Sequence, residues 1–149
     1  MKTLLTAFKG TNNTSFRLVS QLGDNVLLLT NSFSGLERDI DSIPEIPDVV
    51  YMFGVDKKLN REIRVESCAK CGDNTICTEF DVLTLSKRLH DHGIKHHISN
   101  TPTQYLCNWA YYHMLRKNRN TVFIHIPSIR GMDDAFMKQL VGFFSNFMQ

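Results

Sequence analysis

The sequence lacks an apolar run long enough to cross a bilayer, and its net charge is only +2. A membrane-spanning helix needs roughly 20 consecutive apolar residues, and partners such as nucleic acid or an anionic membrane attract a strongly basic surface. We therefore expect no membrane and no nucleic acid among the partners. No repeat, linker or low-complexity tract divides the chain, so its 149 residues are expected to form one domain over 1–149.

The sequence also has few cysteines, and no second Cys-x-x-Cys pair follows Cys68 and Cys71. The apolar run within residues 1–9 is too short for an export signal and fits a first strand better. The four cysteines are then expected to be reduced thiols of a cytoplasmic protein. A zinc site at Cys68, Cys71, Cys77 and a histidine is the weaker alternative, so no metal or cofactor is expected.

Short apolar runs alternate with segments of helical periodicity along the chain. Runs such as 25–29 are continuously apolar, which is typical of strands covered by helices on both faces. The pattern predicts an α/β fold, a three-layer α/β/α domain with a mostly parallel central sheet. The predicted strands are 3–8, 26–30, 49–54, 63–66, 94–98 and 122–126. The predicted helices are 15–22, 36–43, 82–91, 102–117 and 133–147.

Two residues suit nucleophilic catalysis. Cys107 lies in the predicted helix 102–117, for which Thr101 is the expected N-cap, and a thiolate is stabilised near a helix N-terminus. His125 interrupts an apolar strand near its carboxyl end, where the functional groups of open α/β sheets collect. The alternative interpretations are a small buried apolar residue for Cys107 and a hydrogen-bonded core histidine for His125.

A carboxylate completes this candidate set. Glu66 ends the predicted strand 63–66 and is either a solvated strand-end residue or the group that orients the imidazole. A thiol, an imidazole and a carboxylate together make a cysteine hydrolase the leading hypothesis.

Several segments resemble the pyroglutamyl peptidase I family of cysteine peptidases. Residues 99–108, centred on Tyr-Leu-Cys-Asn, resemble its cysteine motif, and 123–127 (Phe-Ile-His-Ile-Pro) resemble its histidine motif. Residues 63–68 resemble its glutamate segment, 4–8 its opening strand, and 13–15 its Asn-Pro-Ser. The resemblance runs through most of the chain in the family order.

The resemblance implies an omega peptidase that removes N-terminal pyroglutamate from a peptide or small acyl-amide substrate. Cys107 would form a thioester acyl-enzyme, His125 would act as general base and acid, and Glu66 would orient His125. A homo-oligomer is compatible with the resemblance. By position, the implied substrate pocket is lined by Phe8, Asn13 and Tyr105.

The chain is identified as a shortened and divergent member of this family. The Pro-Phe-Gly after the first strand is missing, and Ala-Gly-Gly-Arg after the third strand is replaced by residues 56–59, Asp-Lys-Lys-Leu. The family's Cys-His-Glu triad is retained while the loops around its substrate pocket differ. This combination predicts attack by a cysteine thiol on pyroglutamate or a related acyl group. The alternative is a non-catalytic small-molecule or peptide-binding protein on the same scaffold.

Overall fold

The computed structural model describes residues 1–102 and 105–149 and is built around a six-stranded sheet with the order β2-β1-β3-β8-β4-β7. The strands are β1 (Thr3–Phe8), β2 (Val26–Leu29), β3 (Val49–Val55), β4 (Ile63–Glu66), β5 (Cys68–Cys71), β6 (Asn74–Cys77), β7 (His96–Ser99) and β8 (Thr121–Ile126). The helices are α1 (Thr14–Val19), α2 (Phe33–Asp41), α3 (Val82–Asp91), α4 (Leu106–Lys117) and α5 (Asp134–Phe147).

The central sheet is parallel except at one pairing. β2, β1, β3 and β8 run parallel to one another, and β4 is parallel to β7 but antiparallel to β8. Helices cover both faces, so the predicted three-layer, mostly parallel α/β/α fold is confirmed.

Alternate side chains of the central strands enter two separate apolar cores. Tyr51, Phe53 and Ile124 pack with residues of α1, α3 and α5 on one face. Met52 and Phe123 pack with residues of α2, α4 and β5 on the other face. Since both faces are buried, the strands carry continuous rather than alternating apolar residues. Among the helices that the structure describes, none is long and apolar enough to cross a membrane.

The helix that carries Cys107 begins later than predicted. Its first residue is Leu106, and its N-cap is Tyr105, which makes no side-chain capping bond. Thr101 is therefore not the N-cap. Cys107 is the second residue of α4, closer to the helix start than the sequence predicted.

The hairpin of β5 and β6 was not predicted. Its turn contains Gly72 at φ +59°, a left-handed conformation that favours glycine. Antiparallel pairing places Cys68 opposite Cys77 with 4.0 Å between their Cα atoms, and the two form a disulfide. The expectation of four reduced thiols is therefore wrong for this pair, and Cys71 and Cys107 are the free cysteines of the described chain. The disulfide also removes two thiolates from the alternative zinc site.

Candidate active site

The antiparallel pairing of β4 and β8 creates the site. Arg64 lies directly opposite His125, and Glu66 lies opposite Phe123. Residues two apart on a strand share a face, and cross-strand partners lie about 5 Å apart. Arg64, Glu66 and His125 therefore project from the same face of the sheet, the face that α4 covers.

Four charged or titratable side chains form one hydrogen-bonded network. His125 Nδ1 lies 3.0 Å from Glu66 Oε2, and Arg64 Nε donates to the same oxygen. Arg64 Nη2 lies 2.8 Å from Asp56 Oδ2 and 3.3 Å from His125 Nδ1. An ionised carboxylate only accepts hydrogen bonds, so the Glu66 contact places the ring proton on Nδ1. His125 Nε2 is consequently the nitrogen left to accept a proton.

Because Gly54 has no side chain, the Cys107 sulfur can pack directly against the backbone of β3. A Cβ atom at Gly54 would lie 2.8 Å from Cys107 Sγ and 2.7 Å from Phe123 Cζ. Gly54 is paired in register with His125, so the sulfur lies over the part of the sheet that carries the imidazole.

Cys107 and His125 face one small cavity of about 10 Å³. A cavity of this size holds at most about one water molecule. Within the described ranges, no hydrogen bond joins Cys107 Sγ to the His125 ring. The cavity is lined by Glu66, Cys68, Pro102, Cys107, Asn108, Tyr111, Phe123 and His125.

Burial and charge keep Cys107 in its thiol form. Burial raises the pKa of Cys107 to about 12, the Glu66 and Asp56 carboxylates act in the same direction, and Arg64 opposes them. The predicted stabilisation of the thiolate by the helix N-terminus is therefore outweighed. At neutral pH the sulfur is protonated and needs a base before it can attack.

Two hydrogen-bonding residues of α4 hold the site together. Tyr111 Oη donates to the Glu66 carbonyl oxygen at 2.8 Å and lies 3.4 Å from the Thr121 carbonyl oxygen. Asn108 bonds the backbone of Lys70 twice, accepting from N–H at 2.9 Å and donating to the carbonyl oxygen at 2.8 Å. The start of α4 is thereby tied to both β4 and the disulfide-closed hairpin.

The structure brings together three of the six predicted site residues. Glu66, Cys107 and His125 line the same cavity. The other three lie elsewhere on the described chain: Phe8 is buried in the apolar core, Asn13 is the N-cap of α1, and Tyr105 is 76% exposed. A role of these three in substrate binding stays a prediction.

Sequence reasoning missed Gly54, Asp56 and Arg64. The signal for Arg64 was present, because a charged residue in the short strand Ile-Arg-Val-Glu is placed on the same face as Glu66 by the two-residue period. For Gly54 and Asp56 no local signal exists, since only the pairing of β3 with β8 gives them their neighbours.

Several solved structures share the fold of this chain. Pyrrolidone carboxyl peptidase from Thermus thermophilus is 18% identical, with a TM-score of 0.79 over 97% of this chain and 98% of that one. The Pyrococcus furiosus enzyme is 20% identical, with a TM-score of 0.78 over 99% and 97%. That from Thermococcus litoralis is also 20% identical, with a TM-score of 0.75 over 99% and 94%.

The sequence itself assigns the family. The profile of the family Pyroglutamyl peptidase matches residues 53–138, which is more than half of the chain and includes all three candidate catalytic residues. The chain therefore belongs to the pyroglutamyl peptidase family, a family of cysteine-type omega peptidases. No curated protein sequence matches the chain significantly.

Proposed function

We propose that this protein hydrolyses the bond that follows an N-terminal pyroglutamyl group, or a related acyl group, through Cys107, His125 and Glu66. The observation that carries the proposal is the Glu66–His125 pair, at 3.0 Å, beside a cavity shared with Cys107. Glu66 holds the proton on Nδ1 and thereby leaves Nε2 as the basic nitrogen. The same pair would stabilise the ring once it is charged.

The reaction begins with proton transfer from Cys107 Sγ to His125 Nε2, and the sulfur attacks the acyl carbon. The carbon–nitrogen bond then breaks, His125 returns the proton to the leaving amine, and a thioester remains. Water attacks the thioester, with His125 again taking a proton, and the free acid and the Cys107 thiol are released. Because burial raises the pKa of Cys107 to about 12, the transfer to His125 is required for attack at neutral pH.

The substrate must open the site. A cavity of about 10 Å³ is far smaller than a pyroglutamyl ring, whereas small-molecule pockets span roughly 300 Å³ or more. Binding therefore requires lining residues to move apart. Tyr105, exposed beside the start of α4, is proposed to contact the substrate at this entrance, as the family resemblance implies.

The test is release of a fluorescent amine from a pyroglutamyl amide. Cys107→Ala is expected to abolish turnover, and His125→Ala to reduce it by roughly a hundredfold or more. Cys71→Ala removes the other free thiol and is the matched control that keeps full activity. Turnover that survives in Cys107→Ala would refute the proposal.

The raised pKa of the buried Cys107 thiol, about 12, also favours a second candidate, a non-catalytic binding protein on the same scaffold. It predicts no turnover by the wild-type protein on pyroglutamyl or other acyl amides, together with a ligand-dependent rise in melting temperature. Small lactams and amino acids are the ligands to screen.

A further inference from the structure

Strand β4 contains a buried arginine to which the proposed reaction assigns no role. The side chain of Arg64 is only 15% exposed, and burying a guanidinium without partners would be costly. It meets Glu66 through Nε and both Asp56 and His125 through Nη2. Arg64 thus links the candidate catalytic pair to a second carboxylate.

The direction of the hydrogen bonds defines what Arg64 does. His125 Nδ1–H donates a hydrogen bond to Glu66 Oε2, because an anionic oxygen at 3.0 Å is a stronger acceptor than any other group at that nitrogen. Arg64 Nη2 then satisfies Asp56 at 2.8 Å, and its 3.3 Å approach to Nδ1 is a close contact. Asp56 anchors the outer end of the guanidinium, so Nε stays against Glu66.

We propose that Arg64 is a positioning residue of this site, which fixes the Glu66 carboxylate against His125 and offsets the carboxylate charges that face the Cys107 sulfur. Its effect on the charge near the sulfur follows from its ion pairs with Glu66 and Asp56, whereas its effect on turnover rests on the proposed function. Without Arg64, these two carboxylates would have no fixed positive charge beside them. A thiolate would then be harder to form.

The charge environment of the sulfur comes from several elements. Tyr111 of α4 lines the same cavity, and burial raises its pKa, so it adds no charge at neutral pH. Cys68 of the hairpin is in a disulfide and does not titrate. Among residues 1–102 and 105–149, the charged or titratable groups that act on the sulfur or share its cavity are therefore Asp56 after β3, Arg64 and Glu66 of β4, and His125 of β8.

The experiment compares the alkylation rate of Cys107 by iodoacetamide at pH 8, followed on the Cys107 peptide by mass spectrometry, with turnover of a pyroglutamyl amide. Arg64→Gln removes the charge, Arg64→Lys keeps it without the planar fork, and Asp56→Asn with Arg64→Gln restores the charge balance. Arg119→Gln, at an exposed arginine that does not line the cavity, is the control for the substitution itself.

Far below its pKa, a thiol has a thiolate fraction that falls tenfold for each unit by which the pKa rises, and the greater nucleophilicity of the more basic thiolate recovers part of that loss. Arg64→Gln is therefore expected to react about threefold more slowly or worse, and the double variant to recover most of that loss. Arg64→Lys should keep the alkylation rate but lose roughly tenfold or more in kcat, with little change in KM. Arg119→Gln should match the wild type in both assays.

Unchanged alkylation in Arg64→Gln, or a loss that the double variant does not recover, would overturn the role of Arg64. Failure of the proposed function looks different: the wild type would not turn over the amide, while the alkylation series would still differ among the variants.

Discussion

Gly54→Ala tests whether the sulfur of Cys107 truly fills the space beside the sheet. The new methyl group would lie 2.8 Å from Cys107 Sγ and 2.7 Å from Phe123 Cζ. Ordinary carbon contacts are about 3.5 Å or longer, so both side chains must move by about 0.7 Å or more. Phe123 is fully buried and has little room to move. Overpacking of this kind costs about 1–3 kcal/mol of unfolding free energy.

Gly142→Ala is the matched control for this prediction. Gly142 is exposed in α5, and a Cβ atom there meets nothing within 4 Å. Alanine at an exposed helix position raises the unfolding free energy by about 0.5–1 kcal/mol. The same chemical change is therefore expected to have opposite signs at the two glycines.

The assay is urea unfolding followed by the fluorescence of the single tryptophan, Trp109. At this chain length, 1 kcal/mol corresponds to about 2–4 °C in melting temperature, so a cost of about 1–3 kcal/mol in Gly54→Ala should also lower the Tm by about 2–12 °C. The alkylation rate of Cys107 should change in the same variant, because the sulfur is displaced. A Gly54→Ala protein as stable as the wild type, in an assay that detects the gain from Gly142→Ala, would refute the placement of the sulfur.

Three further predictions concern the disulfide, the buried thiol and a hydrogen bond. The Cys68–Cys77 disulfide closes a loop with a sequence separation of 9, so its reduction should lower the free energy of unfolding by about 2–3 kcal/mol. A thiol titration of the unfolded protein without reductant should find two free thiols, and four would contradict the disulfide. Since the folded pKa of Cys107 is about 12 against an ordinary 9.0, both states are protonated below pH 9 and only the unfolded state ionises above it. The free energy of unfolding, measured with urea, should therefore fall between pH 9 and 12. In Cys107→Ser it should fall less steeply over that range, and an equal slope in the two proteins would contradict the raised pKa. Tyr111→Phe leaves the Glu66 carbonyl without its 2.8 Å donor and should lower the unfolding free energy by about 1 kcal/mol, whereas no change would show that water replaces the hydroxyl.

The layered fold was predictable because its signals are local. β1, β4 and α3 have the predicted bounds, and most other elements differ only at their ends. α2 begins earlier than predicted because Ser32 caps it, with Ser32 Oγ accepting from Gly35 N–H at 3.1 Å. The hairpin was missed because its strands are only four residues long, β6 is mostly exposed, and Ile76 is the one large apolar residue in either strand, so they carry no apolar run.

The candidate site was predictable only in part. Cys107, His125 and Glu66 were proposed from their residue types and their positions in the predicted helix and strands, the family resemblance supported them, and the structure places them around one cavity. The helix start near Cys107 favoured a lowered pKa, but burial of the thiol and then the Glu66 and Asp56 carboxylates raise it, and only the tertiary structure reveals that burial and those neighbours. Asp56 becomes a neighbour of that sulfur only when β3 and β4 flank β8.

By itself the sequence determined the layers of this protein, because hydrophobic periodicity and capping extend over a few residues and can be recognised before the pairing of the strands is known. The tertiary structure alone decided that Arg64 faces His125, that Gly54 leaves room for a sulfur, and that Cys68 is bound to Cys77. These neighbours depend on register, and a slip of one residue would turn each side chain to the opposite face of the sheet.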